Sequence, residues 1–289
     1  MMSRRETALL LLPAAALLAA AVALPVLRVV ELSLTRTELE DGVALRFAGA
    51  DAYLRLFHDS RFWAALRNTA VFTGLSVGLE TVLGVLFALL LDQRFRGRRL
   101  VRAGMLLPWA LPTAVMALAW AWIFNDAFGV ANDLLRRLGM LDRPLAWLGE
   151  PGTAMAALVL ADVWKTTPFV ALIVLAGLQG IPRQVHEAAR VDGLGAWPRF
   201  RHLTLPLLVP TLLVAVLFRA VQAYAAFDLV YVMTGGGPGG ATETVSLFAF
   251  QNYFRYLDFG YGSAIAVSGV LLAGAVASLC LRLARGRNA

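Results

Sequence analysis

The chain has 289 residues, of which 59% are hydrophobic, and a mean hydropathy of +0.69; this excludes an ordinary soluble domain, where about 45–50% is usual. A net charge of +7 and a pI near 10.3 raise nucleic acid as a partner, but the charges are scattered over short loops and form no basic arm or aromatic-interleaved patch. Cys280 is the single cysteine, which excludes an intramolecular disulfide framework, and His58, His186 and His202 are far apart in sequence and suggest no metal-ligand pair.

Apolar runs long enough to cross a bilayer recur along the chain. The expected class is therefore an all-α integral membrane protein with six transmembrane helices. The first run, about residues 7–34, follows Arg4 and Arg5. A signal peptide is the competing reading, but the run exceeds the usual apolar core and continues past Pro25, so an uncleaved helix is expected. Residues 35–62 are mixed and charged (Glu38, Glu40, Asp41, Arg46, Asp51, Arg55) and read as an extramembrane loop.

The second span, about residues 63–91, carries Thr69, Thr73, Ser76 and Glu80 at i, i+4, i+7 and i+11, one helix face. That face must point into protein or a water-filled path, because a carboxyl exposed to lipid is too costly. Glu80 reads as a structural partner group, with a transport role as the alternative. Arg94, Arg96, Arg98, Arg99 and Arg102 follow, a cytoplasmic signal. The third span, about 101–124, should be kinked at Pro108 and Pro112, with Trp120, Trp122 and Phe124 as an interface belt. Residues 125–152 read as a loop, and a fourth span runs from about 153 to 178. Within it Asp162 and Lys165, at i and i+3, have the spacing of an ion pair.

Between the fourth span and a fifth, about 207–232, lies EAARVDGLGAWPRFRHLTLPLLVP, residues 187–210, polar and of both signs. Glu187, Ala188, Ala189 and Arg190 should be helical, and Asp192 and Gly193 should end that helix, since glycine adopts positive φ without penalty. Trp197-Pro198 opens a second short helix, and Leu205-Pro206 leads back into the membrane. This helix–turn–helix has the form of a docking surface. A Gly-rich stretch (Gly235, Gly236, Gly237, Pro238) and a polar-aromatic segment precede the sixth span, about 261–283.

The 187–206 spacing resembles the EAA signature of binding-protein-dependent ABC importer permeases, with Leu203 where isoleucine is usual. The stretches 164–169 (WKTTPF) and 231–238 (YVMTGGGP) are similar to the maltose/sugar-permease branch, and the likeness covers the chain from about residue 60 onward. It implies a type I importer fold with cytoplasmic coupling helices: residues 1–62 an N-terminal membrane helix and external loop, residues 63–289 a core of five helices carrying the EAA loop at 182–206. It further implies that Glu187, Ala188, Ala189, Arg190, Asp192, Gly193, Leu205 and Pro206 engage a cytosolic ATPase dimer. The loop at 235–238 would lie near an extracytoplasmic substrate-binding protein.

With both termini inside, fourteen arginines (4, 5, 94, 96, 98, 99, 102, 183, 190, 199, 201, 282, 285, 287) face the cytosol against eight outside (36, 46, 55, 61, 136, 137, 143, 255), in agreement with the positive-inside rule. The same count puts the EAA loop in the cytosol, and the resemblance implies the cell membrane of a prokaryote. Gly235-x-Gly237-x-x-Gly240 formally matches a dinucleotide fingerprint, but it follows a membrane helix rather than a strand. No G-x-x-x-x-G-K-[ST] is present and the single lysine, Lys165, is inside a span, so ATP and Mg belong to a partner and no cofactor is expected on this chain. One six-span chain supplies half of a pathway, so a second permease subunit, forming a heterodimer, is implied; lipid is the other partner, nucleic acid is not.

Arg219, Gln222, Ala223 and Ala226 fall at i, i+3, i+4 and i+7 of the fifth span and read as a substrate face. The alternative is an arginine paired with Glu80, Asp162 or Asp228 to hold the bundle. The resemblance adds Thr166 and Phe169 to the sugar site, while Ala223 and Ala226 do not reproduce the family's polar contacts. Tyr224 and Asp228, at i and i+4, read as interfacial or gating groups. The expected function is a non-enzymatic permease subunit for a sugar, a disaccharide or oligosaccharide. The competing function is a proton-coupled secondary transporter using Glu80, Asp162 and Asp228, which would call for inverted repeats.

Overall fold

A computed structural model describes residues 4–38, 44–93 and 95–285. Glu40, Asp41, Arg94 and Arg287 lie outside the described residues. In chain order the elements are α1 (Arg4–Leu32), β1 (Thr35–Glu38), β2 (Ala44–Phe47), α2 (Asp51–His58), α3 (Ser60–Asp92), α4 (Arg98–Ala110), α5 (Thr113–Ile123), α6 (Val130–Arg137) and α7 (Pro151–Gly180). Then come α8 (Arg183–Val191), α9 (Ala196–Arg199), a π-helical turn (Phe200–Thr204), α10 (Leu205–Tyr224), α11 (Asp228–Met233), α12 (Val245–Phe250), a second π turn (Gln251–Arg255) and α13 (Phe259–Arg285). Among the described residues five helical stretches are long and apolar enough to cross a membrane, or six if the bent pair α4–α5 is one span.

That bent pair corrects the expected third span. Its two helices meet at 92°, far beyond a kink. Pro108 is accommodated inside α4, but Pro112 forces Leu111 into extended backbone (φ −71°, ψ 138°) and ends the helix at Ala110. The expected fifth span is also divided: α10 stops at Tyr224, and Ala225–Phe227 separate it from α11. The Ala226 N–H donates to the Ala223 carbonyl in a tighter turn, Phe227 leaves helical geometry (φ −121°, ψ −59°), and Asp228 opens α11 with an acid in its first turn.

By backbone proximity the chain forms two compact units: residues 1–63 with 245–272, and residues 64–244 with 273–289. In the first, the described parts of the loop expected at 35–62, residues 35–38 and 44–62, carry secondary structure. β1 and β2 pair antiparallel, with Arg36 opposite Arg46, and Arg46 forms a 3.0 Å ion pair with Glu38. Arg55 on α2 reaches Asp258 at 2.8 Å and lies 3.9 Å from the centre of the Tyr261 ring. Gly260 is required by contact: a Cβ there would stand 2.0 Å from the Thr35 carbonyl oxygen.

In the second unit α3, α7 and α10 share a core of Ala88, Leu91, Val170, Val174, Leu175, Leu178, Leu208 and Ala215. Lipid is as apolar as leucine, so helices in a membrane gain from close van der Waals fit rather than from hydrophobic burial. Glycines supply that fit. A Cβ on Gly177 would meet the Thr211 side chain at 2.7 Å, and one on Gly84 would meet Val170 at 2.6 Å. On the polar face of α3, Thr69, Ser76 and Glu80 are fully buried. Phe124 belongs to no interface belt; it is buried, stacked on Trp120 and packed on Trp147, whereas Trp122 is exposed.

The expected loop 125–152 contains α6 and is organised by Asn132. Its amide donates to the Asp126 and Leu145 carbonyls and accepts from the Leu145 N–H and the Trp147 indole, at 3.0–3.2 Å. Asn132→Ala is expected to cost about 1–3 kcal/mol, since those buried groups lose their partner. Amide hydrogen exchange should rise across residues 126–147 and stay unchanged in α7; unchanged protection throughout would contradict this organising role.

Candidate functional site

Three helices converge on Arg219. Its Nε donates to Glu80 Oε2 at 2.6 Å and its Nη2 to Glu80 Oε1 at 2.8 Å, a bidentate fork between α10 and α3. Nη2 also reaches Asp162 Oδ2 on α7 at 3.0 Å, and Nη1 donates to Gln222 Oε1 at 3.0 Å. The Thr166 hydroxyl lies 2.6 Å from both Glu80 Oε1 and the Asp162 carbonyl. Side-chain exposure is 4% for Arg219, 0% for Glu80 and 12% for Asp162. Isolated charges at this depth are strongly unfavourable, and each is here compensated by a short, directional partner.

The residues predicted for a substrate face are only partly brought together. Thr166, Arg219 and Gln222 share the cluster. Phe169 lies apart from that cluster's hydrogen bonds, stacked on Trp109 with ring centres 5.8 Å apart and tilted against Phe218 at 5.2 Å. Ala223 is buried beside Arg219 in sequence, but Ala226 lies past the end of α10, so the four do not line one helical face. The same break removes the i, i+4 relation of Tyr224 to Asp228. Lys165 is not paired with Asp162 either. Its Nζ donates to the Leu111 carbonyl at 2.5 Å, a group left free where α4 ends, while Arg219 takes the Asp162 carboxylate.

The polar stretch forms an elbow between α7 and α10. Glu187, Ala188, Ala189 and Arg190 are in α8; Ala189 is buried and the other three are exposed. The Gly193 N–H donates to Arg190 and the Leu194 N–H to Ala189, the paired bonds of a Schellman closure, with Gly193 at φ +77°. Leu205 and Pro206 occupy the first turn of α10. Val191 and Trp197 present apolar surface to solvent, 87% and 66% exposed.

The Gly-rich stretch is not loose. Gly235, Gly236, Gly239 and Gly240 take positive φ, and the 237–238 peptide is cis. Thr242 Oγ1 lies 2.6 Å from the Gly237 carbonyl and 2.8 Å from Thr234 Oγ1, and Asn68 on α3 donates to the Gly240 and Glu243 carbonyls. Asn68 and Thr242 were missed from sequence; neither has a local motif.

Helices of membrane-crossing length with a polar elbow between α7 and α10 define a polytopic membrane protein. The chain belongs to the family of binding-protein-dependent transport system inner membrane components, whose model matches residues 80–286. It is 46% identical over 242 residues to the trehalose/maltose transport system permease protein MalF of Thermococcus litoralis, covering 84% of this chain and 81% of that one. It is 42% identical to the sulfoquinovosyl glycerol transport system permease protein SmoG of Agrobacterium fabrum, over 97% and 90% of the two chains. A crystal structure of a bacterial alginate ABC transporter in complex with an alginate pentasaccharide-bound periplasmic protein shares the fold, with a TM-score of 0.83 at 21% identity, covering 98% and 95%. The chain is thus a type I ABC permease subunit embedded in a membrane, and not an enzyme.

Proposed function

We propose that this chain forms half of the translocation pathway for a sugar, a disaccharide or oligosaccharide, in a prokaryotic cell membrane with both termini cytoplasmic. The relatives are named for trehalose, maltose and sulfoquinovosyl glycerol, which supports a glycoside as cargo. A second permease subunit completes the pathway as a heterodimer, and an extracytoplasmic binding protein delivers the sugar beside the 235–238 loop. ATP and Mg reside on a cytosolic ATPase dimer. Residues 1–62 act as an N-terminal membrane helix with an external loop, and 63–289 as the core.

The elbow carries this reading. Its ends are continuous with α7 and α10, so a displacement of α8 is transmitted to two core helices. Closure of the ATPase dimer would grip Glu187–Arg201, with Glu187, Ala188, Ala189, Arg190, Asp192 and Gly193 shaping the contact and Leu205-Pro206 passing the motion into α10. Within the pathway, Arg219 and Thr166 hold the helices in register, Gln222 offers its amide to sugar hydroxyls, and the aromatic wall at Phe169 offers ring contacts. A proton-coupled mechanism is disfavoured by the family and by the engagement of Glu80 and Asp162 with Arg219.

Reconstitution with the two ATPase copies, the second permease and the binding protein tests it. Uptake of radiolabelled trehalose or maltose should require ATP and survive a collapsed proton gradient. Uptake that tracks the proton gradient and ignores ATP would refute it.

A further inference from the structure

A cavity of about 1260 Å³ opens beside the elbow, lined by Arg98, Arg102, Arg183, Arg190 and Arg199. Asp92, Glu187 and His186 are the other titratable groups on its wall. Five guanidiniums therefore face two carboxylates, and none of the five has a carboxylate partner within 4.0 Å among the described residues. Arg98 makes only long 3.4 Å contacts to the Asp92 and Gln93 carbonyls at the end of α3. Arg102 donates through Nη2 to the Leu91 carbonyl, and its buried Nε has no acceptor. Orientation in the membrane asks only for an excess of arginine on one side. It does not ask that unpaired arginines from α4, α8 and α9 converge on one hollow.

The upper wall has the opposite chemistry. Val85, Leu86 and Leu89 on α3, with Leu178 on α7, line the same cavity. From Asp92 to Val85 the hollow climbs about 10 Å along a membrane-crossing helix, at roughly 1.5 Å per residue. Basic groups at the mouth and aliphatic groups along the depth match a molecule with an anionic head and a hydrocarbon tail. A water-soluble protein segment does not satisfy the aliphatic part, and a free anion leaves it empty.

We propose that this cavity seats a phosphate-bearing anionic lipid, its headgroup on Arg98, Arg102 and Arg183 and the start of its acyl chains along Val85, Leu86 and Leu89. The shared chemistry is a phosphate oxygen cluster, which supplies the anionic partner that Arg98, Arg102 and Arg183 lack among the described residues. Basic pockets between membrane helices near the cytoplasmic interface hold lipid headgroups in this way. The lipid sits against the elbow, so its presence stiffens the segment through which α8 meets α10. This inference rests on the membrane-embedded fold and the cavity, and does not depend on the identity of the sugar.

The full chain, purified in neutral detergent, is titrated with phosphatidylglycerol or phosphatidylcholine, and retention is read by native mass spectrometry. Phosphatidylglycerol should be retained preferentially, and R98Q with R102Q should weaken it about thirty-fold. R99Q, which removes one charge on the same turn but outside this cavity and so matches R98Q or R102Q taken singly, should leave retention within about twofold of the parent. Should the double variant misfold, the single variants should each weaken it about fivefold. Equal losses in R99Q would show only diffuse surface charge and overturn the site. Competition by millimolar inorganic phosphate would assign the site to a free anion and overturn the lipid. Unchanged retention in R98Q/R102Q with loss of ATPase co-purification would place these arginines in a protein interface and overturn it as well.

Discussion

Replacing Arg219 by methionine is expected to destabilise the bundle by about 3–5 kcal/mol, the usual consequence of breaking a buried ion pair from one side. Glu80 and Asp162 would be left facing each other at the junction of α3, α7 and α10 with no cation. Removing all the charges together is a different perturbation. The triple variant Glu80→Gln, Asp162→Asn, Arg219→Met retains volume and removes the stranded carboxylates, so thermal unfolding in detergent should return close to the parent. A single variant as stable as the parent would contradict the role of the cluster in joining three helices. Uptake then separates the two roles open to the arginine. Recovery of transport in the refolded triple variant assigns Arg219 to positioning, as its four hydrogen bonds to protein groups suggest. A folded triple variant that binds its partners but carries no sugar assigns it to the substrate.

Sequence carried the spans and the elbow because both are written in local chemistry. An apolar run of bilayer length has few other uses, and Asp192-Gly193 ends a helix wherever it falls, here with Gly193 at φ +77°. The α4–α5 turn was half legible: Pro112 marks a boundary, but the 92° angle follows from how the two helices pack afterwards. At Ala225–Phe227 there is neither glycine nor proline, and local rules ran the helix straight through the break. Partner choice was less visible still. Arg219 lies 139 residues from Glu80 and 57 from Asp162 in sequence, so spacing offered three acids and no means of choosing among them. Asn132, Asn68 and Thr242 act through backbone carbonyls brought near by folding, and a lone polar residue announces none of that.

Gly193→Pro is expected to abolish transport while leaving the chain inserted and the core intact. Proline is confined near φ −65°, whereas position 193 requires +77°, and proline also lacks the N–H that Gly193 donates to Arg190. Forcing the closure open carries a local cost on the order of 1–3 kcal/mol, too small to unfold the bundle. The cost falls, however, on the one turn that sets α8 against α9, so Ala188 and Arg190 lose the orientation in which they would meet an ATPase. Gly193→Asn is the control, because asparagine tolerates left-handed backbone; it should keep most of the uptake. Glu187→Lys perturbs the same surface by charge alone and should uncouple ATP hydrolysis from uptake with the turn undamaged. Crosslinks from Ala188 to the ATPase should form in the parent and the asparagine variant and vanish in the proline variant. Were Gly193→Pro to transport at the parental rate, or the parental crosslink never to form in a working complex, the elbow would be a connector and the force would have to enter the bundle elsewhere.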